Sequence, residues 1–261
     1  IEEIKEAAEF VHSKKKRIYV TVNIVFHNED IDGLKEYLVQ LNNIKVDAII
    51  ISDPLIIDIV KELKLDLEIH LSTQQSTLNH EAFKVWESLG VSRIVLGREA
   101  SELDIKKIKK ESNVEIETFI HGAMCVGYSG RCVLSNYLTN RDSNRGGCSQ
   151  ICRWDFDLYD SNKNLVSEKP FSMAVKDLSM VKHIKELIDL GVSSFKIEGR
   201  MRSVYYIATV LNIYRKIIDD YYLEKLDNNI LEEEYELYRC ANRESIPQYF
   251  KEKPGVEGQY Y

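Results

Sequence analysis

The sequence predicts an α/β chain of the (β/α)8, TIM-barrel-like type. It would lack the first one or two N-terminal βα units and carry a cysteine-rich insertion after a late strand. Three observations predict this. Short apolar, β-branched runs alternate with helical stretches from residue 1 to about residue 121, the pattern of parallel strands covered by crossover helices. Six or seven such strands follow one another with no obvious turn-back, which favours a barrel over an open doubly wound sheet, the runner-up. The strand count falls short of eight and the chain opens within a helix, so the opening units are expected to be absent here.

Taken in order, residues 1–16 place Ile1, Ile4, Ala8 and Val11 at helical spacing. Ile18–Asn23 has the β-branched and aromatic composition of a buried strand. A helix around Leu34–Leu41 leads to a strand at Ala48–Ser52. Asp53 and Pro54 then form a fitting N-cap and first turn for the next helix. Further strands read at Leu67–Ser72, Arg93–Leu96 and Val114–Ile120, and Gly90 stops the helix before Arg93. After His121 the alternation breaks for about fifty residues. It resumes with Phe171–Val175, a helix over Met180–Leu190 closed by Gly191, a strand at Ser194–Glu198 and a long helix over about Ser203–Tyr222. An acidic tail from Leu223 contains a short helix at Leu231–Leu237. The expected organisation is an incomplete barrel over 1–222, including the insertion 122–169, and a C-terminal extension over 223–261.

With 261 residues, 44% hydrophobic and 30% charged, the chain can bury a full core as one large domain. A net charge of −7 excludes the global basic field of a non-specific nucleic-acid binder, so RNA contact would need a local basic patch. No run approaches a membrane span, and a soluble cytoplasmic protein is the default reading. A nucleophile elbow, a zinc-protease helix and a glycine fingerprint for nucleotides are all absent.

The chemistry concentrates in one segment. Four of the five cysteines form the run Cys125-x6-Cys132-x15-Cys148-x3-Cys152, in a stretch rich in Gly, Ser, Asn and Arg. Packing cysteines do not gather in polar sequence, and a disulfide framework does not suit a large domain of this kind. Four thiolates can hold zinc or an iron–sulfur cluster. The wide spacings suit a loop around a larger object, with zinc as the alternative metal. In a barrel, polar residues at the C-terminal ends of strands are site candidates. They are Asn23, Asp53, His70, Ser72, Thr73, Gln74, Gln75, Arg98, Glu99, His121, Lys176, Asp177, Lys196, Glu198 and Arg200. Singly, each is more readily a satisfied hydrogen bond or ion pair than a catalytic group; together they describe a polar mouth. The cations Arg98, Arg141, Arg145, Lys196, Arg200 and Arg202 suggest an anionic substrate. The tyrosines of the long helix read as packing residues.

The run from His121 to Trp154, KDL at Lys176–Leu178 and SFKIEGRMRS at Ser194–Ser203 resemble the collagenase-like peptidase family U-32. The phrases YVTVN, IHLSTQQ and RIVLGRE agree with it over nearly the whole chain. Despite its name, the resemblance implies an oxygen-independent hydroxylase of RNA or of a quinone precursor carrying a 4Fe–4S cluster. The branch it suggests forms 5-hydroxyuridine at the tRNA wobble position with prephenate as hydroxyl donor, and other branches act on ribosomal RNA or a ubiquinone precursor. Cys125, Cys132 and Cys148 are then cluster ligands. The fourth is Cys152 by proximity, or Cys240, or absent, since relatives often carry cysteine where this chain has Ser179. His70, Glu99, His121 or Glu198 would move protons, and Arg98, Arg141, Arg145, Lys196 and Arg200 would bind substrate. The implied partners are the tRNA anticodon arm and prephenate. Unpaired strand edges would call for a homo-oligomer or a partner subunit. The other readings are a peptidase, following the family label, and a cluster-bearing scaffold subunit.

Overall fold

The computed structural model describes residues 1–200, 202–226, 230–241 and 243–260. After helix α1 (Glu2–Ser13), strands β1 (Tyr19–Val22), β2 (Ala48–Ile51), β3 (Glu68–Leu71), β4 (Arg93–Val95) and β5 (Glu115–Gly122) pair in sequence order, all parallel. Helices α2 (Leu34–Ile44), α3 (Pro54–Glu62), α4 (His80–Ser88) and α5 (Glu102–Glu111) connect them. The helix starts follow local chemistry. Asp53 accepts from Leu55 N–H with Pro54 in the first turn, Asn79 accepts from Ala82 N–H, and Ser101 forms a reciprocal capping box with Asp104.

Beyond β5 the expected barrel order fails. Helix α6 (Leu134–Thr139) lies in the cysteine segment, and β6 (Asp155–Phe156) and β7 (Phe171–Ser172) form a separate antiparallel pair. The expected strand at Phe171–Val175 is therefore a hairpin arm. The chain re-enters the sheet at β8 (Asp177–Ser179), antiparallel to the end of β5 through His121 and Gly122. After α7 (Ile184–Asp189), β9 (Ser194–Ile197) restores parallel pairing along β5. Helix α8 (Val204–Tyr222) follows, then α9 (Leu231–Ala241) and β10 (Ser245–Ile246), which pairs with β8. From the tail, Leu237 and Phe250 join the main core. Among the described residues the sheet does not close: β1 is bonded to β2 alone. The result is a mixed α/β fold around one mostly parallel sheet.

One face of that sheet is apolar. Ile49, Ile51, Ile69, Leu71, Ile94, Leu96, Ile116 and Ile120 form one cluster with the buried residues of α2 to α5, α7 and α8. Ile50 and Val95, which point the other way by strand alternation, stay outside it. The helices that join this cluster therefore pack on one face of the sheet. The opposite face carries Glu68, His70, Arg93, Glu117, Phe119, Ser194 and Lys196. It is where the site lies.

Candidate functional site

The cysteine segment leaves the sheet at Gly122, where β5 and β9 end side by side. A Cβ there would lie 2.4 Å from Glu198 Cβ, and the backbone φ is +123°, so only glycine allows this approach. All four thiols of the segment are free, and they lie near enough to influence one another electrostatically. Cys125 reaches solvent, yet the atoms packed about its sulfur raise its pKa; Arg98 pulls it down, and Cys152, Cys148 and Cys132 push it up. Cys152 is raised by burial and then by Cys148 and Cys132. Gly127 presses close to this group, since a Cβ there would sit 3.2 Å from Cys132 Cβ and 3.8 Å from its sulfur. The Gln150 N–H points to Cys148 Sγ at 3.4 Å. Cys240 bonds instead to Leu237 O on its own helix, and Ser179 Oγ lies 3.4 Å from the Tyr214 hydroxyl. Of the three positions considered for a fourth ligand, only Cys152 shares the electrostatic neighbourhood of the other three thiols. Among the described residues no three His, Cys, Asp or Glu side chains are placed to hold a single metal ion.

Polar residues at the strand ends hold this segment in place. Ser72 caps the turn Thr73–Gln75, and Thr73 Oγ1 donates to Leu96 O at 2.9 Å. From that turn Ser76 donates to Ser129 O, and Gln74 Nε2 reaches Asn144 O at 3.4 Å. Gly130, at φ +72°, lies so close to the Gln74 backbone that a Cβ would overlap it. The Glu99 carboxylate accepts from Ser129 N–H at 3.0 Å and from its hydroxyl. Arg145 spans to the β1–α2 loop, where it donates to Val25 O at 2.6 Å and pairs with Asp30 through both oxygens. Hydrogen bonds from Arg145 hold the Asp30 carboxyl well below the usual carboxylate range. Arg200 Nη2 donates to Gly146 O at 3.3 Å. Glu99, expected to move protons, and Arg145 and Arg200, expected to bind substrate, are engaged in fastening the thiol-bearing loop. Arg141 remains exposed.

A charged shelf lies beside the thiols. Arg98 Nη2 bonds Glu198 Oε2 at 2.9 Å, and its guanidinium stacks 3.9 Å from the Phe119 ring centroid. Lys196 Nζ lies 5.6 Å from the same ring and 3.3 Å from Glu117 Oε1. Farther along this face the fully buried His70 bonds Glu68 at 3.1 Å and packs edge-on against Tyr19. Burial lowers the His70 pKa, which favours the neutral imidazole, against the pull of Glu68. Arg98, Glu198 and Lys196 thus share one locality with Cys125, whereas His70 lies in a lower layer.

The sequence profile of peptidase family U32 matches residues 1–260. The chain belongs to that family. The U32 chain is 48% identical over 269 residues to a protein of Bacillus subtilis (strain 168) named tRNA hydroxylation protein P1; the match takes in 100% of this chain and 64% of that protein. It is 34% identical to tRNA hydroxylation protein P of Haemophilus influenzae (strain ATCC 51907 / DSM 11121 / KW20 / Rd), covering 83% of this chain and 58% of the relative. It is 36% identical to the 23S rRNA 5-hydroxycytidine C2501 synthase of Escherichia coli (strain K12), over 84% of this chain and 33% of that protein. The chain therefore spans about six-tenths of the length of the first two relatives.

Two features of the U32 site were not legible in its sequence. Strand alternation would put His121 on the polar face with Phe119. A bulge sets Phe119 against Lys196 and His121 against Ile197, two residues apart on β5 but one on β9. The extra residue turns His121 under α8. There Tyr214 donates to Ile120 O at 2.9 Å, which leaves the His121 Nδ1–H to donate to the Tyr214 oxygen at 3.2 Å. Burial, assisted by the Arg202 charge, lowers the His121 pKa to about 4 from 6.5. Between these values the unfolded chain binds a proton that the folded chain refuses. Stability is therefore expected to fall from pH 6.5 towards pH 4, by up to ~3 kcal/mol from this group. His121→Phe should flatten that part of a pH series of urea midpoints. The second feature is a gathering of Arg153, Arg202 and Arg243 around Asp177, drawn from three distant segments.

Proposed function

We propose that this chain is the catalytic portion of an iron–sulfur tRNA hydroxylase that forms 5-hydroxyuridine at the wobble position, with prephenate as hydroxyl donor. The observation that carries this is the 48% identity, along the entire chain, to a protein named for tRNA hydroxylation. The donor set supports the cofactor. Four thiols from one loop, none in a disulfide, influence one another electrostatically, and an all-thiolate donor set is what a 4Fe–4S cluster takes. Cys125, Cys132, Cys148 and Cys152 would hold the 4Fe–4S cluster. When bound, it would supply electron transfer or Lewis acidity at the polar face.

The chain's own residues then act around it. Arg98 balances charge beside Cys125 and is fixed by Phe119 and Glu198. Glu198, half-buried at the strand end, is the carboxylate placed to move a proton. Exposed Tyr128, Tyr137 and Trp154 on the cysteine segment, with Arg131 and Arg141, suit unpaired bases and phosphates of an anticodon loop. The peptidase reading finds less support. Among the described residues no Ser, Thr or Cys side chain is hydrogen-bonded to a histidine, as an activated nucleophile would be. The test is mass spectrometry of tRNA nucleosides from a host lacking the gene, complemented with the full-length gene or with its Cys132→Ala form. The wild-type copy should restore 5-hydroxyuridine and the variant should not. Unchanged nucleosides on deletion would end the proposal.

A further inference from the structure

Asp177, at the start of β8, is 3% exposed and is surrounded by more cationic charge than it can neutralise. Arg202 Nη2 lies 3.1 Å from Oδ2, and Arg153 Nη2 and Arg243 Nε lie 3.5 Å and 3.7 Å from Oδ1. The last two distances are too long for good hydrogen bonds. A buried carboxylate is satisfied by one forked guanidinium, so three leave an excess of two positive charges. The neighbouring ions do not cancel it: Lys176 pairs with Glu244, and Glu198 with Arg98. The planes of two guanidiniums are set by aromatic faces, Arg202 over Tyr206 at 4.7 Å and Arg243 over Tyr260 at 5.2 Å. Stacking of this kind leaves the N–H edges free to donate. The Tyr206 hydroxyl is buried beside them, and neither it nor Asp177 Oδ1 has a hydrogen-bond partner.

We infer that Arg153, Arg202, Arg243 and the Tyr206 hydroxyl form a binding site for a small dicarboxylate. Two carboxylates match the excess charge, and an unpartnered buried hydroxyl supplies a further donor. The three guanidiniums are each only 20–22% exposed, which suits a compact dianion better than the backbone of an RNA helix. Arg153 directly follows Cys152, whose carbonyl accepts from the hydroxyl of Ser172 at 3.2 Å, on the segment that leads into Asp177. The anion is therefore held next to the thiol cluster. Assigning it as the prephenate of the reaction rests on the hydroxylase reading; the dicarboxylate site itself does not.

Calorimetric titration of the purified chain with prephenate, malonate, inorganic phosphate and acetate tests this. The variants are Arg243→Met, Tyr206→Phe and, on the exposed face of α9, Arg239→Met. Both dicarboxylates are expected to bind saturably and acetate much more weakly. Arg243→Met and Tyr206→Phe should each weaken binding about tenfold or more, and Arg239→Met should leave it unchanged. Tyr206→Phe should do so without lowering the melting temperature, because the lost hydroxyl has no protein partner. Malonate binding that responds to these variants while prephenate fails to bind keeps the site and removes its co-substrate. Dicarboxylate binding unaffected by both variants, no dicarboxylate binding, or tighter binding of phosphate overturns the site. Loss or retention of 5-hydroxyuridine in tRNA judges the hydroxylase reading separately.

Discussion

Purified without oxygen, the chain is expected to carry about four irons and four acid-labile sulfides, and Cys148→Ala to carry neither. Two close-fitting glycines define the backbone that leads to Cys148. Gly146, at φ +81°, and Gly147, where a Cβ would lie 2.7 Å from Asp142 O, deliver the chain to it. The Gln150 N–H then faces its sulfur. With one of four ligands removed, the other three thiols remain free groups that repel one another once ionised. Cluster binding and ordering of the loop are linked, since ligand sites of this kind form together with the metal. The variant should therefore lose visible absorbance and show faster alkylation of Cys125 and Cys132. Zinc in the wild-type chain, or undiminished iron in the variant, would defeat the cluster assignment.

Arg93→Met is expected to destabilise the fold by about 3 kcal/mol, read as a fall in the urea midpoint at constant slope. Arg93 and Glu117 are 6% and 4% exposed on the polar face. The Arg93 Nε donates to Glu115 at 2.8 Å, and Nη1 lies 3.8 Å from Glu117. Without the guanidinium, Glu117 retains Lys196 at 3.3 Å and Ser194 at 2.8 Å. That keeps the loss at the lower end of what breaking a buried ion pair costs. Adding Glu117→Gln should recover part of the stability, because it removes the charge left behind. A double variant no more stable than Arg93→Met would show that the two groups are not coupled. The effect should extend to the site, because Lys196 bridges Glu117 to the Phe119 ring that supports Arg98.

Much of the fold was legible because it depends on local physics. The apolar run at Ala48–Ile51 and the Asp53 cap with Pro54 depend on neighbouring residues alone. Each appears where the sequence places it. The thiol run was legible for a related reason: three spacings within one loop already limit how far apart its sulfurs can lie. The strand ends after β3 and β4 were legible only as polar. Glu99 and Gln74 are candidates for catalysis and for loop anchoring on equal terms until Ser129 and Asn144 are seen to meet them.

By itself, the sequence determined the order of strands and helices as far as β5, the Asp53 cap, the grouping of four cysteines and membership of the U32 family. Tertiary structure alone decided that β8 enters the sheet antiparallel, that the sheet stays open among the described residues and that helices cover one face. It alone turned His121 under α8 through a one-residue bulge and brought Arg153, Arg202 and Arg243 to one carboxylate. The division has a physical cause. Propensity, capping and periodicity are set within a few residues, whereas pairing partners and the destination of a long charged side chain are set by groups far away in the chain.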